Sequence, residues 1–177
     1  MTTKKTTRKK VTKKKATRTP PLPANWKLPR LRDEGVGWSL KKPVPGWGGA
    51  RMQITIERIH DEERPSPEQE AALAGLLTNQ RDLRPAFAKG AFRYFNEVIV
   101  PKLGLEWVEE QVHPPIRKLA DLWPHFNHWA VWISAYRPGE IELSASCAFT
   151  GHEFGARFVD FKVTQVGDVA NDCPFVL

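Results

Sequence analysis

The chain has 177 residues, with 27 Lys plus Arg against 20 Asp plus Glu, a formal charge of +7. Nine of those cations (Lys4, Lys5, Arg8, Lys9, Lys10, Lys13, Lys14, Lys15 and Arg18) fall in residues 1–18, which hold no acid. Residues 19–177 therefore carry 18 basic against 20 acidic side chains, which excludes a body that grips nucleic acid by bulk charge.

In chain order, residues 1–24 read as a disordered basic tail with a Pro-rich spacer. A Lys/Thr-rich stretch buries too little apolar area to offset the entropy of ordering it. Thr19-Pro20-Pro21-Leu22-Pro23 is stiff and extended. Residues 25–36 form a lead-in with Trp26 as a first anchor, and 37–177 a single globular α+β domain.

Folding signals begin with Trp38-Ser39-Leu40, a short strand. After a turn-rich Pro43–Gly49 stretch, Met52, Ile54 and Ile56 alternate with polar residues, which predicts a β-hairpin. Ser66-Pro67-Glu68-Gln69 is a helix start with a capping box and a first-position proline. That helix is expected to end near Leu77. A second, capped by Asp82, carries Leu83, Phe87, Ala91, Tyr94, Phe95 and Val98 on one face as far as Pro101. A short helix with Ile116, Leu119 and Leu122 follows His113-Pro114-Pro115 and stops at Pro124.

The period then changes to two. Trp129, Val131 and Ile133 make one strand; Ile141, Leu143, Ala145, Cys147 and Phe149 make the next; Phe154, Ala156 and Phe158 a third; Lys162 to Val166 a fourth. Short connections favour an antiparallel meander covered by the helices on one face. The expected class is α+β: N-terminal β-hairpin, two to three helices, C-terminal meander.

Motifs for chemistry are sparse. Cys147 and Cys173 form no CxxC pair, and no apolar core of a secretory signal is present, so a cytoplasmic protein with reduced thiols is expected. Apolar runs fall far short of the roughly 18 residues of a membrane span. His125, His128 and His152 are the candidate metal ligands, although their spacing fits isolated turn and edge histidines better. Ser134, Ser144 and Ser146 alternate along strands without a GxSxG elbow, and Cys147 shares parity with Leu143 and Phe149. Lys89–Phe95 matches one RNA-recognition strand motif poorly and fits the helical face better. Glu106, Trp107, Glu109 and Glu110 form an acidic, aromatic cluster suited to a basic partner; Asp61, Glu62 and Glu63 form a second acidic group. Nine cations on one segment suit salt-sensitive, sequence-independent contact with DNA or RNA, and a solubilising extension explains the same composition.

Several pieces occur in an order that resembles a bacterial family of small uncharacterised α+β domains often found beside toxin systems, immunity-type proteins among them. They are Trp47-Gly48-Gly49 before a strand, Leu76-Leu77-Thr78-Asn79, Phe92-Arg93-Tyr94-Phe95, His152-Glu153-Phe154-Gly155-Ala156-Arg157-Phe158 and Val163-Thr164-Gln165-Val166-Gly167. Where that family carries Glu-His-Gly-Leu, this chain has His152-Glu153-Phe154-Gly155, and Asp160-Phe161 stands in place of an Asp-Gly hairpin. The resemblance implies an interaction domain without catalytic residues. The expectation is thus a non-catalytic, cofactor-free domain that binds a protein, such as a toxin, through Glu106, Trp107, Glu109 and Glu110. The alternatives are a nucleic-acid-associated protein tethered by its tail and a hydrolase with metal on His125, His128 and His152.

Overall fold

The computed structural model describes residues 21–49, 51–59, 61–168 and 173–176; the tail cations Lys4 to Arg18 lie outside them. Strands β1 (Leu31–Asp33) and β2 (Gly37–Leu40) turn about Gly35, whose φ of +79° suits a residue without Cβ. β1 lies inside the stretch expected as a lead-in. β3 (Val44–Pro45) and β2 pair with opposite halves of β4 (Arg51–Glu57), and the alternation of Met52, Ile54 and Ile56 buries all three. The expected hairpin is present.

Helix α1 (Pro67–Tyr94) starts where the capping box placed it. Gln69 N–H donates to Ser66 Oγ (3.2 Å) and Ser66 N–H to Gln69 Oε1 (2.9 Å). The buried Gln69 amide also donates to the Glu57 carbonyl (2.7 Å), tying helix to strand. The expected break near Leu77 and the Asp82 cap are corrected: one continuous helix of 28 residues runs through both. Thr78 and Asn79, which resemble a helix end, donate back to the carbonyls of Ala74 (2.8 Å) and Gly75 (2.9 Å), so their side chains are satisfied within the helix. Pro85 frees the Arg81 carbonyl, but on the exposed side, where water can meet it.

Nor does Pro101 end the helical run. A π turn (Phe95–Ile99) leads into α2 (Val100–Leu103), with Val100 N–H bonded to Phe95 O five residues back. The wider turn makes room for the proline ring. Gly104, at φ +86°, ends α2, and α3 (Leu105–Gln111) follows at once. The helix expected after His113 is a 3-10 turn, Leu119–His125, with Pro124 inside it.

Strands β5 (Phe126–Ile133), β6 (Glu140–Cys147), β7 (Glu153–Val159) and β8 (Lys162–Asp168) are the expected meander, and β9 (Cys173–Val176) extends it. Among the described residues all nine strands form one sheet, β1-β2-β4-β5-β6-β7-β8-β9, with β3 on the β4 edge. Every pairing is antiparallel except β4 with β5, where Met52 meets Trp129 and Ile56 meets Ile133. The helical crossover between these strands makes their parallel pairing possible.

One face of the sheet packs on α1. Phe87 is the hub, with ring centroids of Trp47 at 5.5 Å, Phe126 at 5.3 Å, Trp129 at 5.4 Å and Phe154 at 5.9 Å. Most of these contacts are edge-to-face or tilted, as ring quadrupoles prefer. The β7–β8 hairpin turns through Asp160 and Phe161, both at positive φ (+49° and +59°). The half-buried Phe161 packs where Gly75 leaves α1 bare; a Cβ there would lie 1.8 Å from the ring. The missing Asp-Gly turn is thus explained by packing.

Candidate functional site

The three candidate metal ligands have different environments. His125 closes the 3-10 turn and is 1% exposed. Its Nε2 lies 2.7 Å from Pro114 O, and since a carbonyl only accepts, that nitrogen carries the proton. Burial holds the His125 pKa below the usual histidine value, opposed by the Pro114 bond and by Asp121. His128 is exposed at the β5 bulge with φ +50°, and His152 is exposed before β7. Among the described residues no three His, Cys, Asp or Glu side chains gather as a metal-ion set.

Other candidates resolve into structure. Lys89–Tyr94 lie in α1 and Phe95 opens the π turn, so the RNA-recognition strand reading does not apply. The buried Ser134 hydroxyl donates to Glu57 Oε2 (2.9 Å), which also accepts from Ala135 N–H. Cys147 is a buried core residue. Asp61, Glu62 and Glu63 are exposed between β4 and α1.

The uncovered sheet face carries a feature that sequence reading left out. Trp132, Glu142, Arg157 and Gln165 are cross-strand neighbours in one row. Arg137 and Arg157 both reach Glu142 Oε1 (2.8 and 3.0 Å) and lie near Glu140 Oε2 (3.3 and 3.6 Å). Four side chains thereby neutralise one another. Parity along β6 placed both glutamates on this face; Arg137 comes from the turn just before β6 and Arg157 from β7.

The acidic, aromatic cluster is different. α3 is joined to α2 through Gly104, and Val108 is its single buried residue, followed by buried Val112. Leu103 (37%), Leu105 (59%) and Trp107 (44%) are exposed, with Glu106, Glu109 and Glu110 among them. Sequence reading singled out Trp107 and the three glutamates and missed the leucines; the signal available was Leu-Gly-Leu just ahead of an acidic run.

Helix-stabilising chemistry is largely missing here. No side chain caps the α3 N-terminus, and no cation lies in its last turn. Glu106 and Glu110 are like charges four residues apart, and Glu109 and Glu110 sit at the negative end of the helix dipole. Among the described residues none of these three carboxylates forms an ion pair, and neither does Lys102. The last turn is closed by His113, whose Nε2 donates to Glu110 O (2.8 Å). An exposed aromatic among unneutralised acids can bury against apolar groups and attract cations.

A family model described as a domain of unknown function, DUF6985, matches residues 28–171. No curated protein and no solved structure matches the chain.

Proposed function

The chain belongs to the DUF6985 domain family, and from that premise we propose that it is a non-catalytic protein-interaction domain that binds its partner through the α2–α3 elbow. The partner presents a basic surface, and binding is stoichiometric, in the manner of an immunity protein that neutralises a toxin in the cytoplasm. No helix among the described residues is long and apolar enough to cross a membrane.

One observation carries this reading: Leu103, Leu105 and Trp107 stand exposed on an elbow whose carboxylates have no cation among the described residues. Folding gains little from such a surface. Binding gains more, because a buried Trp at an interface centre commonly costs about 2 kcal/mol or more when truncated, roughly thirtyfold in affinity. The surrounding acids would steer a basic partner and set its orientation.

Immobilised full-length protein, wild type beside Trp107→Ser and the pair Glu106→Lys with Glu110→Lys, tests the proposal on lysate of the source cells. A protein retained by the wild type and lost at least tenfold from both variants is expected. Equal retention on all three would overturn the reading.

A further inference from the structure

We propose that two copies of this chain pack their uncovered sheet faces together about a two-fold axis, with Trp132 and the Arg137, Glu140, Glu142 and Arg157 group at the centre. The contact uses none of the elbow residues and stands independently of the proposed function.

Placement is the first ground. α1 covers one face of the sheet. Across the other runs a row of half-buried or exposed side chains from six adjacent strands: Ser39, Thr55, Trp132, Glu142, Arg157 and Gln165. β5 is fourth of the eight strands in the sheet order, so Trp132 stands near the middle of the face, 37% exposed. Tyr136, 76% exposed, follows in the connection that carries Arg137. Trp, Tyr and Arg are the residues that most often dominate the centre of an interface. The strands β4 to β8, each of seven or eight residues, span roughly 600 Å² in plan, and side-chain relief brings this near the ~800 Å² that each partner of a stable interface buries.

Charge decides the occupant. Arg137 and Arg157 balance Glu140 and Glu142, so the group draws neither an acidic nor a basic partner. It complements itself: a two-fold axis through the group sets the arginines of one copy against the glutamates of the other. The elbow, with Glu106, Glu109 and Glu110, would meet like charge in a second copy, so self-association belongs to the sheet. The four network side chains are 27–45% exposed, so part of their hydration is already lost, and covering them costs less than burying free ions. Ser39, Thr55, Ser144 and Gln165 make the rest of the face polar and uncharged, which fits a contact that forms and separates rather than an obligate one.

Sedimentation equilibrium of full-length protein tests the proposal at about 150 mM salt, where screening confines the repulsion between net charges of +7 to about 8 Å. The mass is expected to rise from one chain to two as concentration climbs through the micromolar range. Trp132→Ser, Arg157→Glu and Glu142→Arg should each weaken association at least tenfold. Mixing the Arg157→Glu and Glu142→Arg proteins restores opposite charge across the axis, and the mixture is expected to recover the two-chain mass. Trp107→Ser, on the elbow, should associate as the wild type does. Far-UV circular dichroism checks the fold of each variant, and recovery on mixing decides the matter even where Trp132→Ser alters folding. A single-chain mass at every concentration would overturn the proposal and leave the face to another occupant. Association indifferent to Trp132→Ser and to both charge reversals would overturn it, as would a mixture that stays monomeric. Association lost with Trp107→Ser would put the self-contact at the elbow and overturn it equally.

Discussion

Helices α1 and α3 obey opposite rules. α1 has a capping box, 28 residues, thirteen of them buried, and an aromatic hub. α3 has seven residues, one buried, no side-chain cap at its N-terminus and carboxylates where its dipole disfavours them. In α1, local propensity, capping and packing agree, which is the mark of a segment shaped by folding. In α3 they disagree. Where exposed apolar side chains and uncompensated charge are kept against local preference, stability has been exchanged for something else, and binding is the natural candidate.

The contrast can be broken by mutation, starting where the effect is largest. Phe87→Ala empties the ring cluster between Trp47, Phe126, Trp129 and Phe154, and should cost about 3–5 kcal/mol in denaturant unfolding. A loss under about 1 kcal/mol would mean that α1 is not the folding helix described here. Gly75→Ala is expected to cost about 1–3 kcal/mol, because the new Cβ meets Phe161. Helix propensity alone would make that substitution stabilising by about 1 kcal/mol, so the sign decides the matter.

A smaller effect comes with pH. Burial lowers the His125 pKa, whereas in the unfolded chain the residue takes a proton near pH 6.5. Its contribution to stability is therefore whole above that pH. It falls as acid is added, until the lowered native value is reached, below which this residue adds no further slope. Thermal unfolding from pH 8 to pH 5 should show the decline, reduced in His125→Gln. Asp33 titrates elsewhere: its hydrogen bond from Arg58 lowers its pKa, so its contribution is present above about pH 3.8 and lost only below.

The smallest effect is the most telling. Glu110→Lys removes a like-charge pair and puts a cation at the end of α3. It should leave stability unchanged or raised by about 0.3–0.5 kcal/mol. A loss above 1 kcal/mol on chemical denaturation would place Glu110 in the structural framework and erase the contrast between the helices.

What could be read in the sequence was local. The Ser66 box, the parity of β4 to β8 and the one-sided helix cover follow from residues a few positions apart. The continuity of α1 was hidden, because Thr78 and Asn79 look like a helix end until their bonds to Ala74 and Gly75 are seen. The joining of β4 to β5 and the arrival of Arg157 beside Glu140 and Glu142 depend on strands distant in sequence and leave no local trace, whereas Arg137 lies only three residues before Glu140. Of the candidate site, Trp107 and its glutamates were visible as composition. Their exposure was not, because Gly104 sets the elbow and only packing shows that Val108 alone anchors it.

The parallel β4–β5 pair has a bearing on how the chain assembles. The Ser134 hydroxyl and the Glu57 carboxylate it meets are 77 residues apart, while the other strands of the meander close through short turns. Contacts across so long a loop are slow to form, because closure entropy is lost before they repay it. The N-terminal hairpin and the meander would then mature first, with their union across Ile54 and Val131 as the late, rate-setting event. Glu57→Gln, which weakens the clasp at the end of that seam, should accordingly lower the refolding rate if the seam is already formed at the barrier, and chiefly speed unfolding if it forms after it.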